Sequence, residues 1–171
     1  MNSGGADNGA RGEGGTGDGG KDTAGVIAPP PVIYLAFLSI GFGADALWPA
    51  AVLPQGLQYA AGTAVIALGL VLGFAAVRQF RRHKTPFKTH EPSTALITAG
   101  PYRYSRNPIY LALSLLYAGI GIAADSPWVL ALLVPLLVVL HYGVIAREER
   151  YLERKFADAY RRYKSTTRRW L

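Results

Sequence analysis

Residues 128–146 read WVLALLVPLLVVLHYGVIA, and residues 147–163 follow at once as REERYLERKFADAYRRY. The first stretch has no Asp, Glu, Lys or Arg and approaches the roughly 20 apolar residues a helix needs to cross the hydrocarbon core of a bilayer. The second is mostly charged, yet it keeps helical spacing, so one long helix leaving a membrane is the reading that joins them. Working backward, the turn Asp125-Ser126-Pro127 separates this span from another that opens at Pro108, a residue suited to a first helical position. Two more apolar runs precede it, at about 30–51 and 57–77. The predicted fold is an all-α integral membrane bundle with four transmembrane helices, at about 30–51, 57–77, 108–124 and 128–146. A C-terminal helix, 147–163, extends into the cytoplasm.

Composition agrees with lipid as the solvent. Half of the 171 residues are hydrophobic and they come in runs, whereas a soluble domain interleaves them with polar positions. The net charge of +7 is placed beside those runs, where anionic headgroups account for it and nucleic acid is not needed as a partner. Cysteine is absent, which excludes disulfides, thiolate catalysis and cysteine-ligated metals, and no metal is expected. Residues 1–28 form the expected tail, too rich in Gly and polar residues up to about position 24 to fold alone. Residues 29–171 form the membrane domain. None of the eighteen Lys and Arg residues lies in the connectors 45–56 and 125–128. All fall in the tail, the loop 78–107 and the C-terminal segment, so these segments and both termini are expected on the cytoplasmic side.

Two glycine patterns, Gly41-Phe42-Gly43 and Gly119-Ile120-Gly121, loosely match a dinucleotide fingerprint but lie inside apolar spans, where close helix packing explains them. Gly69 and Gly73 share one helix face for the same reason. The loop ends in Leu96-Ile97-Thr98-Ala99-Gly100-Pro101-Tyr102-Arg103-Tyr104-Ser105-Arg106-Asn107-Pro108-Ile109-Tyr110. A turn with interfacial tyrosines and anchoring arginines accounts for this run as well as a binding site does. In the last helix, Leu152, Phe156, Ala159 and Tyr163 form the expected buried stripe. Glu148, four residues before Leu152 and seven after His141, lies on that face. Glu149, Glu153, Arg150 and Arg154 read as solvated flanks, with Asp158 paired to Arg161 or Arg162. A carboxylate at a membrane edge needs a partner, and Arg147, Arg103, Arg106 or a ligand would supply one.

The run Gly100 to Tyr110, the hydrophobic hairpin after it, Glu148-Glu149 and the ending Phe156, Tyr160, Tyr163, Arg169, Trp170 resemble the isoprenylcysteine carboxyl methyltransferase family and the related phospholipid methyltransferases. The resemblance covers roughly residues 78–171. It implies S-adenosyl-L-methionine as methyl donor and a lipophilic small molecule or prenylated substrate as acceptor, entering from membrane lipid. Carried over by position, Leu96, Ile97, Gly100, Tyr102, Asn107, Pro108 and Tyr110 would line the donor pocket, with His141 and Glu148 from the last helix. Asn107 stands where eukaryotic members have His. The family's substrate-binding Arg aligns with Val144, so Arg147 or Arg106 is expected to orient the acceptor anion, and Arg147, Glu148 and Arg106 form the expected catalytic set. Methyl transfer from a sulfonium needs positioning more than acid or base help, consistent with the lack of any Ser, His, Asp triad. A nicotinamide-dependent membrane reductase and a non-catalytic membrane partner are the alternative readings. The resemblance is compatible with carboxylate oxygen or amine nitrogen as the acceptor atom and with more than one oligomeric state.

Overall fold

The computed structural model describes residues 25–54, 56–82 and 96–171. Most of the expected tail and much of the loop, residues 83–95, lie outside the described residues. The rest is helical: α1 Pro30–Leu47, α2 Leu57–Arg82, a 3-10 turn Gly100–Arg103, α3 Pro108–Ala123, α4 Pro127–Leu140, a π turn His141–Ile145 and α5 Ala146–Thr166. No strand occurs among the described residues.

Three helical stretches are long and apolar enough to cross a membrane: α1, residues Leu57–Gln79 of α2, and the continuous segment Pro127–Thr166 that begins with α4. The protein is accordingly a multi-pass membrane protein. The fourth expected span, α3, is apolar but has only 16 residues, a rise of about 24 Å against a hydrocarbon core of about 30 Å. Large side chains such as Leu35, Leu70, Val71, Phe74 and Val134 are more than half exposed. Water would disfavour so continuous an apolar surface, and lipid does not.

Small residues set the helix contacts. α2 and α3 form the most extensive pair. A Cβ on Gly62 would lie 2.6 Å from the backbone nitrogen of Ala123, and one on Gly119 would lie 2.9 Å from that of Ile66. Gly41 lets α1 approach α4, where a Cβ would stand 2.9 Å from the Cα of Val129. These are the packing roles expected for the glycine patterns, achieved by dispersion between closely placed backbones. Between α1, α3 and α4 the core contains Tyr34, Tyr117, Val129, Leu136 and Leu140, all buried.

Each end of the bundle is tied by its own contacts. Ser126 caps α4 by accepting from the Val129 amide at 3.1 Å. Beside it, the Asp125 carboxylate accepts from the Val52 and Leu53 amides at 3.1 and 3.0 Å. The Trp128 indole donates to the Trp48 carbonyl at 2.8 Å, so the two connectors without basic residues meet. At the opposite end the Ile27 amide donates to the Gly143 carbonyl at 3.3 Å, and Val26 and Ala28 pack on the core. Residues 25–28, expected in the tail, therefore belong to the packed body.

The C-terminal helix departs most from expectation. α5 buries Glu149, Tyr151, Tyr160 and Tyr163, while Leu152 and Phe156 are half-buried and Ala159 is exposed. Two interruptions rotate the faces. The π turn at His141–Ile145 inserts extra residues into one turn, and Ala157 breaks the helix with φ 42°. Beyond Thr166 the chain turns back: Arg168 forms a parallel bridge with Ser105, and the Arg106 amide donates to the Arg168 carbonyl at 2.9 Å.

Candidate active site

Two polar clusters form where the 3-10 turn, the start of α3, the start of α5 and the returning C-terminal segment converge. The first is built on Tyr102, Tyr110, Glu148 and Tyr163. Pro108, fully buried, opens α3 and sets Tyr110 within its first turn. The Tyr110 hydroxyl donates to Glu148 Oε1 at 2.8 Å, and no described residue donates to Oε2. The Tyr34 hydroxyl lies 2.9 Å from both the Tyr110 carbonyl and the Ser114 hydroxyl, which fixes this turn of α3 against α1. From α5, the Tyr163 hydroxyl donates to the Tyr102 carbonyl at 2.6 Å, so residues 61 apart in sequence hold the 3-10 turn to the helix. Ile97 and Ala76 pack behind Tyr102, with Leu96 half-buried next in sequence.

Glu148 keeps part of its surface open, but its carboxyl end is desolvated. Burial pushes its pKa up to about 7, against the lowering effect of the Tyr110 hydrogen bond. Tyr102 is raised by burial first and then by the charges that Tyr163 and Glu148 would carry. A carboxyl group poised near neutrality and bounded by aromatic rings suits a cationic or hydroxyl-bearing ligand.

Arginine organises the second cluster. Arg169 donates to Glu149 through Nε at 3.0 Å and Nη2 at 2.6 Å, a bidentate pair, and its Nη1 lies 3.0 Å from His141 Nε2. The Glu149 hydrogen bond and charge raise the Arg169 pKa, against burial. Arg106, its side chain nine-tenths buried, brings Nη2 to 3.5 Å from Glu149 Oε1. Its Nε and Nη1 are shielded from solvent with no hydrogen-bond partner among the described residues. Tyr160, beside this group, is pushed up to about 12, mainly by burial and then by the Glu149 charge, against Arg106.

The sequence-predicted residues are thus divided. Tyr102, Tyr110 and Glu148 come together. His141 joins Arg106 in the second cluster, across Glu149 and Arg169. Asn107 is buried, and its side-chain amide donates to the Arg169 carbonyl at 3.0 Å, which the Ser105 hydroxyl also reaches at 3.2 Å. Gly100, with φ 62°, makes room for Gln79 of α2, whose Nε2 would be 2.5 Å from a Cβ. Arg147 stands apart: it is exposed and donates to the Gly25 carbonyl at 2.8 Å. Sequence reasoning assigned Glu149 to the solvated flank, but it is buried and ion-paired at the centre of the second cluster. It also overlooked Tyr34 and the structural work of Tyr163 and Arg169. An unbroken helical wheel carried no signal for Glu149, because the π turn that rotates it inward lies upstream.

A helical, multi-pass membrane protein with carboxyl, phenol and guanidinium groups gathered at one end is the class these features define. A family profile described as phospholipid methyltransferase matches residues 57–159, more than half of the chain, and the chain belongs to that family. It is therefore a member of a membrane methyltransferase family. An uncharacterized protein of Haemophilus influenzae is 60% identical over 35 residues, covering 20% of this chain and 56% of that protein. The chain thus spans little more than half the length of the curated relative it matches. No solved structure matches the chain.

Proposed function

We propose that the protein is an S-adenosyl-L-methionine-dependent methyltransferase, similar to the isoprenylcysteine carboxyl methyltransferases, acting on a lipophilic acceptor at the cytoplasmic membrane face. The observation that carries this reading is the meeting of Tyr102, Tyr110 and Glu148, from three separate segments, joined by the 2.8 Å Tyr110–Glu148 bond. When bound, the donor supplies a methyl group already activated on a sulfonium. Glu148 attracts a cationic ligand with its remaining oxygen, while Tyr110 holds the carboxyl in place. Tyr102, with Ile97 behind it, contributes an aromatic wall. Leu96 and Gly100 border the pocket, and Pro108 and Asn107 hold the segment in shape. A low dielectric at the membrane edge strengthens the attraction between Glu148 and that cation.

Arg106 is the acceptor-orienting residue in this reading, supported by the two unpartnered nitrogens of its buried guanidinium. An anion there, the carboxylate of a prenylated cysteine or a lipid phosphate, would satisfy both. Arg147, with its contact to Gly25, is the weaker of the two cations for that task, and its proposed role is to fasten the N-terminal segment. Four membrane crossings with both termini cytoplasmic complete the proposal, α3 being shielded by α2 and α4. The donor, being water-soluble, would then reach the site from the cytosol.

Membranes containing the protein are incubated with methyl-labelled S-adenosyl-L-methionine and either N-acetyl-farnesylcysteine or a phospholipid extract. The expected result is label in the organic phase, lost with Glu148→Gln. Base-labile label identifies a carboxyl ester and base-stable label an amine. Absence of label from every acceptor, together with protection of the protein by a nicotinamide cofactor instead, overturns the proposal.

A further inference from the structure

α2 carries two adjacent rows of side chains, the first exposed and the second partly packed against the 3-10 turn. Leu70, Phe74, Arg78 and Arg82 follow one another every four residues, and Val71, Ala75 and Gln79 form the neighbouring row, so the rows run side by side along the helix. With Gly100 and Pro101 across the upper end they line a groove of about 560 Å³. Leu70, Val71 and Phe74 are 58%, 68% and 71% exposed. The apolar run of α2 gives way to Arg78, Arg81 and Arg82 in its last turns, so the lining changes from apolar to basic along the helix. Among the described residues, no carboxylate lines the groove. Neither Arg78 nor Arg82 is ion-paired with a described residue. Gly100 matters because any side chain there would strike Gln79 and displace the upper wall.

We propose that this groove binds one anionic phospholipid of the adjoining leaflet, with an acyl chain along Leu70, Val71 and Phe74 and its phosphate between the guanidinium groups of Arg78 and Arg82. Here two guanidinium groups, one turn apart, crown a continuous apolar channel, a geometry that selects charge and tail together. The site stands on the outer face of α2, and the inference does not rest on the methyl-transfer reading.

The full chain in detergent is titrated with dioleoyl phosphatidylglycerol or dioleoyl phosphatidylcholine, and retained lipid is counted by native mass spectrometry. The expected result is one retained phosphatidylglycerol, with phosphatidylcholine retained about tenfold less. Arg78→Gln and Arg82→Gln each lower phosphatidylglycerol retention by about tenfold, whereas Arg81→Gln, the same charge change outside the groove, leaves it unaltered. Val71→Trp, which fills the channel and keeps both arginines, lowers it as well. Circular dichroism melting of the lipid-free variants checks that each is folded. Equal retention in Arg78→Gln and Arg81→Gln overturns the proposal, as does equal retention of the two lipids. Competition by glycerol 3-phosphate at the same concentration as lipid also overturns it, by showing a soluble-anion site.

Discussion

Glu148 and Glu149 are neighbours with opposite environments. Glu148 holds a proton up to about pH 7 because burial outweighs one hydrogen bond. Its folded pKa lies above that of an unfolded glutamate, so on folding it disfavours the charged form, and its stability contribution falls as pH rises toward 7. A ligand that needs the carboxylate reverses the dependence. Donor affinity is predicted to rise with pH and level off above about 7, being about tenfold weaker at pH 6 than at pH 8. Glu148→Gln is expected to flatten this profile in isothermal titration while leaving the melting temperature at pH 8 unchanged or higher. Glu149 is held by Arg169 and Arg106, and Glu149→Ala leaves two cations without their counter-charge. The expected loss is about 3 kcal/mol, at the lower end for a broken buried pair because Arg169 is one-third exposed. Denaturant titration in detergent checks it. Both acids were visible in the sequence as one dipeptide. Spacing placed Glu148 on the inward face, but the burial of Glu149 beside it was not legible, since a π turn and a kink at Ala157 leave no periodic trace.

The spacing of the helices depends on a few positions without side chains. A Cβ on Gly62 would meet the Ala123 backbone at 2.6 Å, but one on Gly73 would meet only the Ala112 side chain at 3.4 Å. Gly62→Ala is therefore predicted to cost about 1–3 kcal/mol by forcing α2 and α3 apart, and Gly73→Ala less than about 0.5 kcal/mol. Comparable melting of the two variants would contradict this account of the α2–α3 contact. The existence of these helices was legible because charge disappears across them, and Pro108 and Ser126 marked two of their starts. The glycine patterns pointed to packing but not to the partner: Gly69, Gly73 and Gly119 were all expected contacts, yet Gly62 and Gly119 are tighter than Gly69 and Gly73. Partner choice depends on which helices lie side by side, a matter no single helix encodes. The bounds of α3 were legible as well, at 108–124 against Pro108–Ala123, because an apolar run ends where it meets polar residues.

The whole molecule separates its chemistry from its anchoring. One end joins the connectors through Asp125 and Trp128; the other gathers the 3-10 turn, the arginines and the C-terminal return. The distribution of Lys and Arg made this polarity readable before any coordinates, and the joining of residues 105–107 to 168–169 is what the pattern could not disclose. The chain has no native cysteine, so single introduced cysteines report sidedness cleanly. In sealed right-side-out vesicles Val52→Cys is predicted to react with a membrane-impermeant maleimide, and Ser165→Cys to react only after permeabilisation. Labelling of both from one side would contradict the proposed topology. The central claim, that Tyr102, Tyr110 and Glu148 enclose a methyl-donor site, is tested most directly by titrating detergent-purified protein with S-adenosyl-L-methionine. Saturable binding below millimolar concentration is predicted, weakened about ten- to a hundredfold by Glu148→Gln at pH 8; no saturable binding by the folded protein below that concentration would contradict it.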